Sequence, residues 1–330
     1  MSPTLTISIP TYNRANLIGE TLDSILLQIN DSTRARIEVL VSDNCSTDNL
    51  PDLIADYQKR YPGIITYVRN AENIGFSPNV NASVCKARGD FVLIMSDDDC
   101  LESSAIEDVL KVLDGHPDLG VGFLHFRTWS KTLSEPVDKL STHPDRFYPD
   151  GTKYIVERRG SFSPALISGI LVRKAAWIEA GPERYTDINS IHFIMAPLIM
   201  AKYPCYDFSS KDYVRYRVNM GHWSIRTDPT YPFPMYVSYL KGCRAVKPLY
   251  PKSVYTMLYC RTIRTTIGHI IRNKVLNLPF PKADILNMLA PYLDYAALRP
   301  CLMTILMKFT ARLPRWTLYM PFRWLVPKTL

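Results

Sequence analysis

Residues 91–99 read FVLIMSDDD, an apolar run that is followed, after one serine, by three consecutive aspartates. An apolar run of this length is typical of a buried β-strand. Asp97, Asp98 and Asp99 would repel one another strongly unless a cation neutralises them. Oxygen-only clusters suit Mg²⁺ or Mn²⁺, especially when a substrate phosphate completes the coordination shell. A solvated acidic turn that caps the next helix is the alternative, and the triplet alone leaves both interpretations open.

The N-terminal third of the chain alternates between strand and helix patterns. Short β-type runs at residues 5–9, 37–41 and 64–68 predict three more strands. Apolar residues recur at helical spacing between them, and Ser77 followed by Pro78 predicts a helix N-cap and first turn. Strands separated by helices predict an α/β fold with a mostly parallel, doubly wound sheet.

A polar loop follows each predicted strand. In an open α/β sheet, ligands bind beyond the carboxyl ends of the strands, so the four loops are predicted to converge on one edge. Tyr12 can stack on a base, Asp43 can accept a hydrogen bond from a base or ribose, and Arg69 can meet a phosphate. Gly75 lets the backbone approach a ligand closely. Ordinary turn chemistry explains any one such loop, whereas four in register favour a ligand site.

Motifs in these loops resemble those of family 2 glycosyltransferases of the GT-A fold. They are ISIPTYNR at residues 7–14, VSDNCSTD at 41–48, NIG at 73–75, and GDF at 89–91 running into the acid triplet. Their order and spacing also fit, over about the first 115 residues. Within the family, residues 160–177 and 191–195 are most similar to bacterial O-antigen sugar transferases of the abequosyltransferase type.

The resemblance implies transfer of a sugar, with inversion at the anomeric carbon, from a nucleotide-diphosphate donor. By analogy, Asp43 would hold the base, Asp97 the ribose or a metal-bound water, and Asp99, with Asp97, the Mn²⁺ or Mg²⁺ ion. A divalent ion that bridges the phosphates stabilises the charge that develops on the leaving group. The other implied donor-binding residues are Pro10, Thr11, Tyr12, Arg14, Arg69, Asn73, Gly75 and Asp98.

The general base is where this chain departs from the family it resembles. Many members carry Glu-Asp near the start of a helix in the second half, and that Asp deprotonates the acceptor hydroxyl. Here His192 aligns with the Asp, and a histidine suits proton abstraction near neutral pH. His192 can also be read as a packed helix residue, and Asp187 is the competing candidate for the base.

Length and cysteine content fit a cytoplasmic enzyme. A chain of 330 residues can form a large core and a further region, and we predict a GT-A domain over residues 1–228 and a basic, mainly helical region over 229–330. Seven scattered cysteines, with no CxxC motif and no His at zinc spacing, indicate reduced thiols. We find no signal peptide and no apolar stretch long enough to span a bilayer.

Charge is distributed unevenly along the chain. Residues 241–330 carry a net charge of +13, so the preceding residues are net −5 within a total of +8. Arg, Trp and Tyr interleave at residues 313–325, a pattern that suits an anionic membrane surface. A solvated helical face and a nucleic-acid patch are the alternatives, and the region lacks a recognisable nucleic-acid-binding motif. We predict an enzyme that is peripheral on the inner face of the cytoplasmic membrane, and the resemblance implies a lipid-linked glycan acceptor.

Two other functions compete with glycosyl transfer. A nucleotidyltransferase also uses acids and a metal on an α/β sheet, but it usually shows a Gly-rich phosphate loop, which residues 10–14 are not. A nucleotide-sugar-binding protein without catalysis is the second alternative. Such a protein has no need of three adjacent carboxylates, so the acid triplet favours an enzyme.

Overall fold

The computed structural model describes residues 3–139, 141–158, 166–218 and 232–275, without the side chains of residues 232–236 and 265–275. The predicted domain boundary at residue 228 and the aromatic, basic segment at 313–325 lie outside these ranges and stay predictions. No helix within the described ranges is both long and apolar enough to cross a membrane.

The N-terminal third of the chain alternates strands and helices, as the sequence predicts, and three further strands follow it. The elements up to residue 148 are β1 (Leu5–Thr11), α1 (Ile18–Leu26), β2 (Ile37–Asp43), α2 (Leu50–Arg60), β3 (Ile65–Arg69), α3 (Phe76–Lys86), β4 (Phe91–Ile94), β5 (Cys100–Leu101), α4 (Ala105–Gly115), β6 (Val121–Leu124), β7 (Phe126–Trp129) and β8 (Arg146–Tyr148).

Shorter strands and more helices follow. They are α5 (Gly151–Glu157), β9 (Ile170–Arg173), α6 (Lys174–Glu179), α7 (His192–Met200), β10 (Cys205–Phe208), β11 (Val214–Arg217), α8 (Pro232–Val246) and α9 (Lys252–Val275). Short 3₁₀ helices lie at Arg34–Arg36 and Pro182–Tyr185.

Eight strands form the main sheet, in the order β3-β2-β1-β4-β9-β6-β10-β8. The first four strands of the chain are parallel, because β1 pairs with β2 and β4, and β2 pairs with β3. β9 is antiparallel to both β4 and β6, and β8 is antiparallel to β10. The sheet is therefore the mostly parallel α/β sheet that the strand–helix alternation predicts, with antiparallel strands in its later part.

A second, three-stranded sheet has the order β5-β11-β7. β5 follows directly after the acid triplet, and its partner β11 runs antiparallel to it. This pairing brings a segment more than a hundred residues later in the chain alongside the acids.

The N-terminal strands of the main sheet are buried in a core that is mainly apolar. All seven residues of β1 are buried, and α1 covers them with a stripe that includes Ile18, Leu22 and Ile25. Helix α3 differs from its prediction at its start, since Phe76 begins the helix and Gly75, not Ser77, occupies the cap position. The backbone of Gly75 has a φ of +88°, a conformation that glycine adopts without strain, so the turn ends there.

The chain divides into two compact units. The first consists of residues 1–151, 163–187 and 195–220, and the second of residues 152–162, 188–194 and 221–330. In the second unit, α8 passes close to the segment that begins α7, because a Cβ atom on Gly242 would lie 3.0 Å from the Ile194 side chain. Leu258 and Tyr259 of α9 are buried, so this helical hairpin has a core.

Candidate functional site

Parallel pairing brings the ends of β1, β2 and β3 to one edge of the main sheet. Thr11 lies in register with Asp43, and Asp43 with Arg69. β4 lies on the other side of β1, and the amide of Met95 donates to the carbonyl of Ser8. The first three polar loops and the acid triplet therefore occupy the same edge, as the sequence predicts.

Asp43 is completely buried, and both of its carboxylate oxygens have partners within the protein. Oδ1 accepts a hydrogen bond from the Ser46 amide at 2.8 Å, and Oδ2 accepts one from the Tyr67 hydroxyl at 2.6 Å. Arg69, whose side chain is partly exposed, places Nε 3.5 Å from Oδ2. Burial, together with the Asp43 carboxylate, raises the pKa of Tyr67, so the phenol stays a donor. Asp43 thus shapes the loop that was predicted to hold the base.

The first and second loops are joined to each other. The Asn13 amide donates to Ser46 Oγ at 2.9 Å, and the Thr47 amide donates to Asn13 Oδ1 at 2.7 Å. Asn13 adopts a left-handed φ of 53°, which asparagine tolerates better than most residues. Next to it, the Tyr12 side chain is 41% exposed and free to meet a ligand, while Pro10 and Thr11 are buried at the end of β1.

Asn44 connects the second loop to the third. Its Nδ2 donates to Asn73 Oδ1 at 2.7 Å and to the Gly75 carbonyl at 3.2 Å, while its Oδ1 accepts from the Ile74 amide at 3.0 Å. The two predicted residues, Asn73 and Gly75, are exposed and held in place by this buried side chain. Sequence reasoning did not single out Asn44, although it lies within the VSDNCSTD motif.

The three acids differ in their surroundings. Asp97 and Asp99 are buried, whereas Asp98 is partly exposed and accepts a hydrogen bond from Ser96 Oγ at 2.5 Å. Burial, followed by the charge of Asp98, raises the pKa of Asp97 to about 7. Two neighbours lower the pKa of Asp97 instead: the Thr11 hydroxyl and the positive charge of the half-buried Arg14. The Thr11 hydroxyl itself makes no well-aligned hydrogen bond.

Asp99 is the most enclosed of the three acids. Its side chain is 0% exposed, Oδ2 accepts from Ser168 Oγ at 2.5 Å, and Oδ1 accepts from the Arg217 amide at 2.9 Å. Burial and then the charge of Asp98 raise the pKa of Asp99 to about 8, against the effect of these two donors. No local sequence pattern predicts that Ser168 or Arg217 contacts the triplet, because only the fold brings them there.

The acid triplet has the donor chemistry of a magnesium or manganese site. Among the residues that the structure describes, no three His, Cys, Asp or Glu side chains converge as a complete metal site. Mg²⁺ sites commonly use one or two carboxylates and take their remaining ligands from water and substrate phosphates. Buried carboxylates with raised pKa values are stabilised by a neighbouring cation, so Asp97 and Asp99 fit such an ion chemically.

The two candidate bases occupy different surroundings. His192 is the first residue of α7 and is only 4% exposed, and its ring centroid lies 4.2 Å from that of Phe193. Phe193 in turn packs against Tyr239 of α8 at 3.9 Å. Asp187 follows the 3₁₀ helix Pro182–Tyr185 and is exposed. His192 belongs to the second compact unit and Asp187 to the first.

Comparison with known families agrees with the motifs. Residues 6–169 match the model of glycosyl transferase family 2. The chain carries a family 2 glycosyltransferase domain. This domain is 36% identical over 115 residues to abequosyltransferase RfbV of Salmonella typhimurium, an alignment that covers 35% of this chain and 34% of that protein. The chain therefore matches about a third of the length of this curated relative.

Solved structures of low sequence identity share the fold of this chain. TarS 1-349 of S. aureus in complex with UDP-GlcNAc has a TM-score of 0.72 at 17% identity, over 98% of this chain and 93% of that one. The mannosyltransferase PcManGT of Pyrobaculum calidifontis, in complex with GDP-Man and Mn²⁺, has a TM-score of 0.54 at 18% identity, over 94% and 86%. The predicted GT-A fold is confirmed.

Proposed function

We propose that this protein is an inverting, metal-dependent glycosyltransferase that moves a sugar from a nucleotide-diphosphate donor to a lipid-linked bacterial surface glycan. The observation that carries the proposal is the acid triplet, with Asp97 and Asp99 buried, next to the polar loops of β1, β2 and β3 in a family 2 domain. Abequosyltransferase RfbV and TarS, by their names and bound donor, support a nucleotide sugar and a bacterial glycan.

The polar loops bind the donor in this proposal. The exposed ring of Tyr12 stacks on the base, and the buried Asp43, through its hydrogen bonds with Ser46 and Tyr67, holds the loop that binds the base in shape. Arg69 approaches the diphosphate from the end of β3, and Arg14 supplies a second positive charge near Asp97. Asn73 and Gly75 form the wall of the site that Asn44 orders.

Asp99 and Asp97 would hold Mn²⁺ or Mg²⁺, and Asp98 lies between them in the chain and contributes to the donor site. Bound there, the ion would stabilise the negative charge that develops on the departing nucleoside diphosphate. The protein's own part is to keep the carboxylates close together and largely away from water, where electrostatic interactions are strong.

A base on the opposite face of the sugar deprotonates the acceptor hydroxyl. His192 and Asp187 are the candidates, and we retain His192 as the first choice because an imidazole that titrates near neutrality suits the task. The exposure of Asp187 keeps it as the alternative.

A membrane-bound acceptor is consistent with the charge of the second unit. Residues 232–275, which form α8 and α9, contain eight Lys and Arg residues and no Asp or Glu. Arg244, Lys247, Lys252, Arg261 and Arg264 are exposed. Such a surface is attracted to the anionic inner leaflet of the cytoplasmic membrane without entering it.

A thermal-shift screen tests donor binding. The protein is heated with a panel of nucleotide sugars, with Mn²⁺ and separately with EDTA. A true donor at about 100 times its Kd adds about 2.7 kcal/mol of stability and raises the Tm, and EDTA removes most of the gain. A panel that leaves the Tm unchanged under both conditions contradicts donor binding.

A further inference from the structure

Arg217 is a buried arginine at the end of β11 that contacts the acid triplet through both its backbone and its side chain. Its side chain is 3% exposed. The Arg217 amide donates to Asp99 Oδ1 at 2.9 Å, and Nε donates to the Asp98 carbonyl at 2.8 Å. One residue therefore fixes two of the three acids.

The same guanidinium joins the acid triplet to two other parts of the first unit. Nη2 forms an ion pair with Glu20 Oε2 of α1 at 2.8 Å, and Nη1 donates to the Lys131 carbonyl at 2.9 Å. Three of its nitrogens thus bind three separate segments. A planar guanidinium can donate hydrogen bonds in several fixed directions at once, whereas a lysine ammonium is a single point charge that cannot bind all three segments in the same way.

Strand pairing explains why Arg217 reaches the triplet. β11 runs antiparallel to β5, with Val214 opposite Leu101 and Arg215 opposite Cys100. Continuing this register by two residues sets Arg217 opposite Asp98. Ser168 supports the same segment from the other side, since its Oγ donates to Asp99 and accepts from the Ser96 amide at 2.9 Å.

We propose that Arg217 is a positioning residue for the donor site, which holds the acid triplet in the arrangement that binds a divalent cation together with a nucleoside diphosphate. The inference rests on the proposed function and adds to it a residue outside the predicted site. Arg217 acts through Asp98 and Asp99. Residues that orient metal ligands in this way typically affect metal affinity or activity by about 10- to 100-fold.

Arg215 provides a matched control on the same strand. It makes a bidentate ion pair with Glu102 at 2.7 and 2.9 Å, and its guanidinium lies 5.0 Å from the Trp129 ring centroid. Both residues are arginines in β11, but the side chain of Arg215 donates its hydrogen bonds to Glu102, whereas that of Arg217 donates one to the Asp98 carbonyl. Any effect that comes only from weakening β11 should therefore appear in both Arg215→Lys and Arg217→Lys.

The experiment compares these two variants with the wild type by two measurements. The first is titration with UDP, GDP, CDP and dTDP in Mn²⁺, followed by calorimetry with the diphosphate that binds the wild type. Arg217→Lys should weaken the Mn²⁺-dependent affinity by about 10-fold or more, and Arg215→Lys by less than about 2-fold. Equal losses in the two variants would overturn the inference.

The second measurement is amide hydrogen exchange of the segment 95–101 in the absence of nucleotide. Arg217→Lys should exchange faster than both Arg215→Lys and the wild type, because the segment loses its anchor. Exchange at the wild-type rate would overturn the inference. If no diphosphate binds the wild type, the proposed function fails, while the exchange comparison still decides the role of Arg217.

Glu20→Gln is the reserve variant if Arg217→Lys does not fold. Glu20 is half exposed, so its substitution leaves the core intact but removes the carboxylate partner of Arg217. A loss of about 2-fold or more in Mn²⁺-dependent diphosphate affinity, at an unchanged Tm, supports the inference. An affinity equal to that of the wild type contradicts it.

Discussion

At the scale of single residues, the acid triplet is a set of carboxylates in three different environments. Asp98 is partly exposed, Asp97 is buried beside Thr11 and Arg14, and Asp99 is enclosed by Ser168 and Arg217. The sequence predicts that Asp97 and Asp99 bind the metal ion. The structure adds that Asp99 already accepts two internal hydrogen bonds, so replacing it also disturbs packing.

Asp97→Asn should separate function from stability. The substitution removes a buried charge, so we expect loss of metal-dependent transfer and, in EDTA, a Tm a few degrees above that of the wild type. Adding Mn²⁺ should raise the Tm of the wild type more than that of the variant. Asp52→Asn, at an exposed position on α2, is the control and should change neither quantity. A variant with wild-type turnover would rule out Asp97 as a functional acid.

The identity of the base is also decided at single residues. If His192 is the base, His192→Ala should lower kcat by about 10²- to 10⁴-fold with little change in donor affinity. The wild-type rate should rise with pH through a histidine-like ionisation, and the variant should lose that rise. If Asp187→Ala is strongly impaired while His192→Ala is nearly normal, the assignment reverses, and the burial of His192 then reflects packing alone.

At the scale of elements, the buried side chain of Glu38 in β2 links neighbouring parallel strands. Its oxygens accept hydrogen bonds from the hydroxyls of Thr6 and Thr66 at 2.7 and 2.8 Å. The amide and Nε of Arg88 donate at 2.8 and 2.7 Å. Burial alone would raise the pKa of Glu38, but these four hydrogen bonds outweigh it and lower the pKa below its ordinary value.

Glu38→Gln should therefore destabilise the protein in a pH-dependent way. Since the folded-state pKa is lowered, the carboxylate contributes stability above its unfolded pKa of about 4.3, and this contribution disappears as the pH falls through the folded value. We expect a loss of about 1–3 kcal/mol at pH 7, measured by urea unfolding, and a smaller difference near pH 4. The same difference at both pH values would show that the charge of Glu38 is not what matters.

Elements also show what the sequence can and cannot predict. The first four strands and their helices follow from local apolar patterns, and the loop positions follow from parallel topology. The pairing of β5 with β11 joins residues more than a hundred positions apart in the sequence, so no local pattern predicts it. The predicted start of α3 at Ser77 was wrong for a related reason. A hydrogen bond from Asn44, which lies about thirty residues earlier in the chain, holds the turn that ends at Gly75.

At the scale of the whole molecule, the net positive charge of the chain lies in the second unit. The α8–α9 segment has no acid to balance its eight cations, and Leu249 between the two helices is 43% exposed. Each basic residue near an anionic surface contributes about 1 kcal/mol, so several suffice for reversible binding that salt weakens.

The double variant Lys247→Glu, Lys252→Glu should sediment much less with anionic phosphatidylglycerol vesicles than the wild type. Lys59→Glu with Lys111→Glu makes the same charge change at exposed positions of the first unit and should have a smaller effect. A chain that ends at Pro314 tests separately the predicted contribution of the tail. Equal sedimentation of all these proteins would argue against a membrane-binding surface.

The central claim is metal-dependent cleavage of a nucleotide sugar, and the release of nucleoside diphosphate tests it most directly. The protein is incubated with each of a panel of nucleotide sugars in Mn²⁺, in EDTA, and in EDTA followed by excess Mn²⁺. With water as the acceptor of the sugar, we predict that one donor releases its nucleoside diphosphate in Mn²⁺, that EDTA stops the release, that the added metal restores it, and that Asp97→Asn lacks it. Release that continues undiminished in EDTA, or release of pyrophosphate from nucleoside triphosphates with a sugar phosphate instead, would contradict the proposed function.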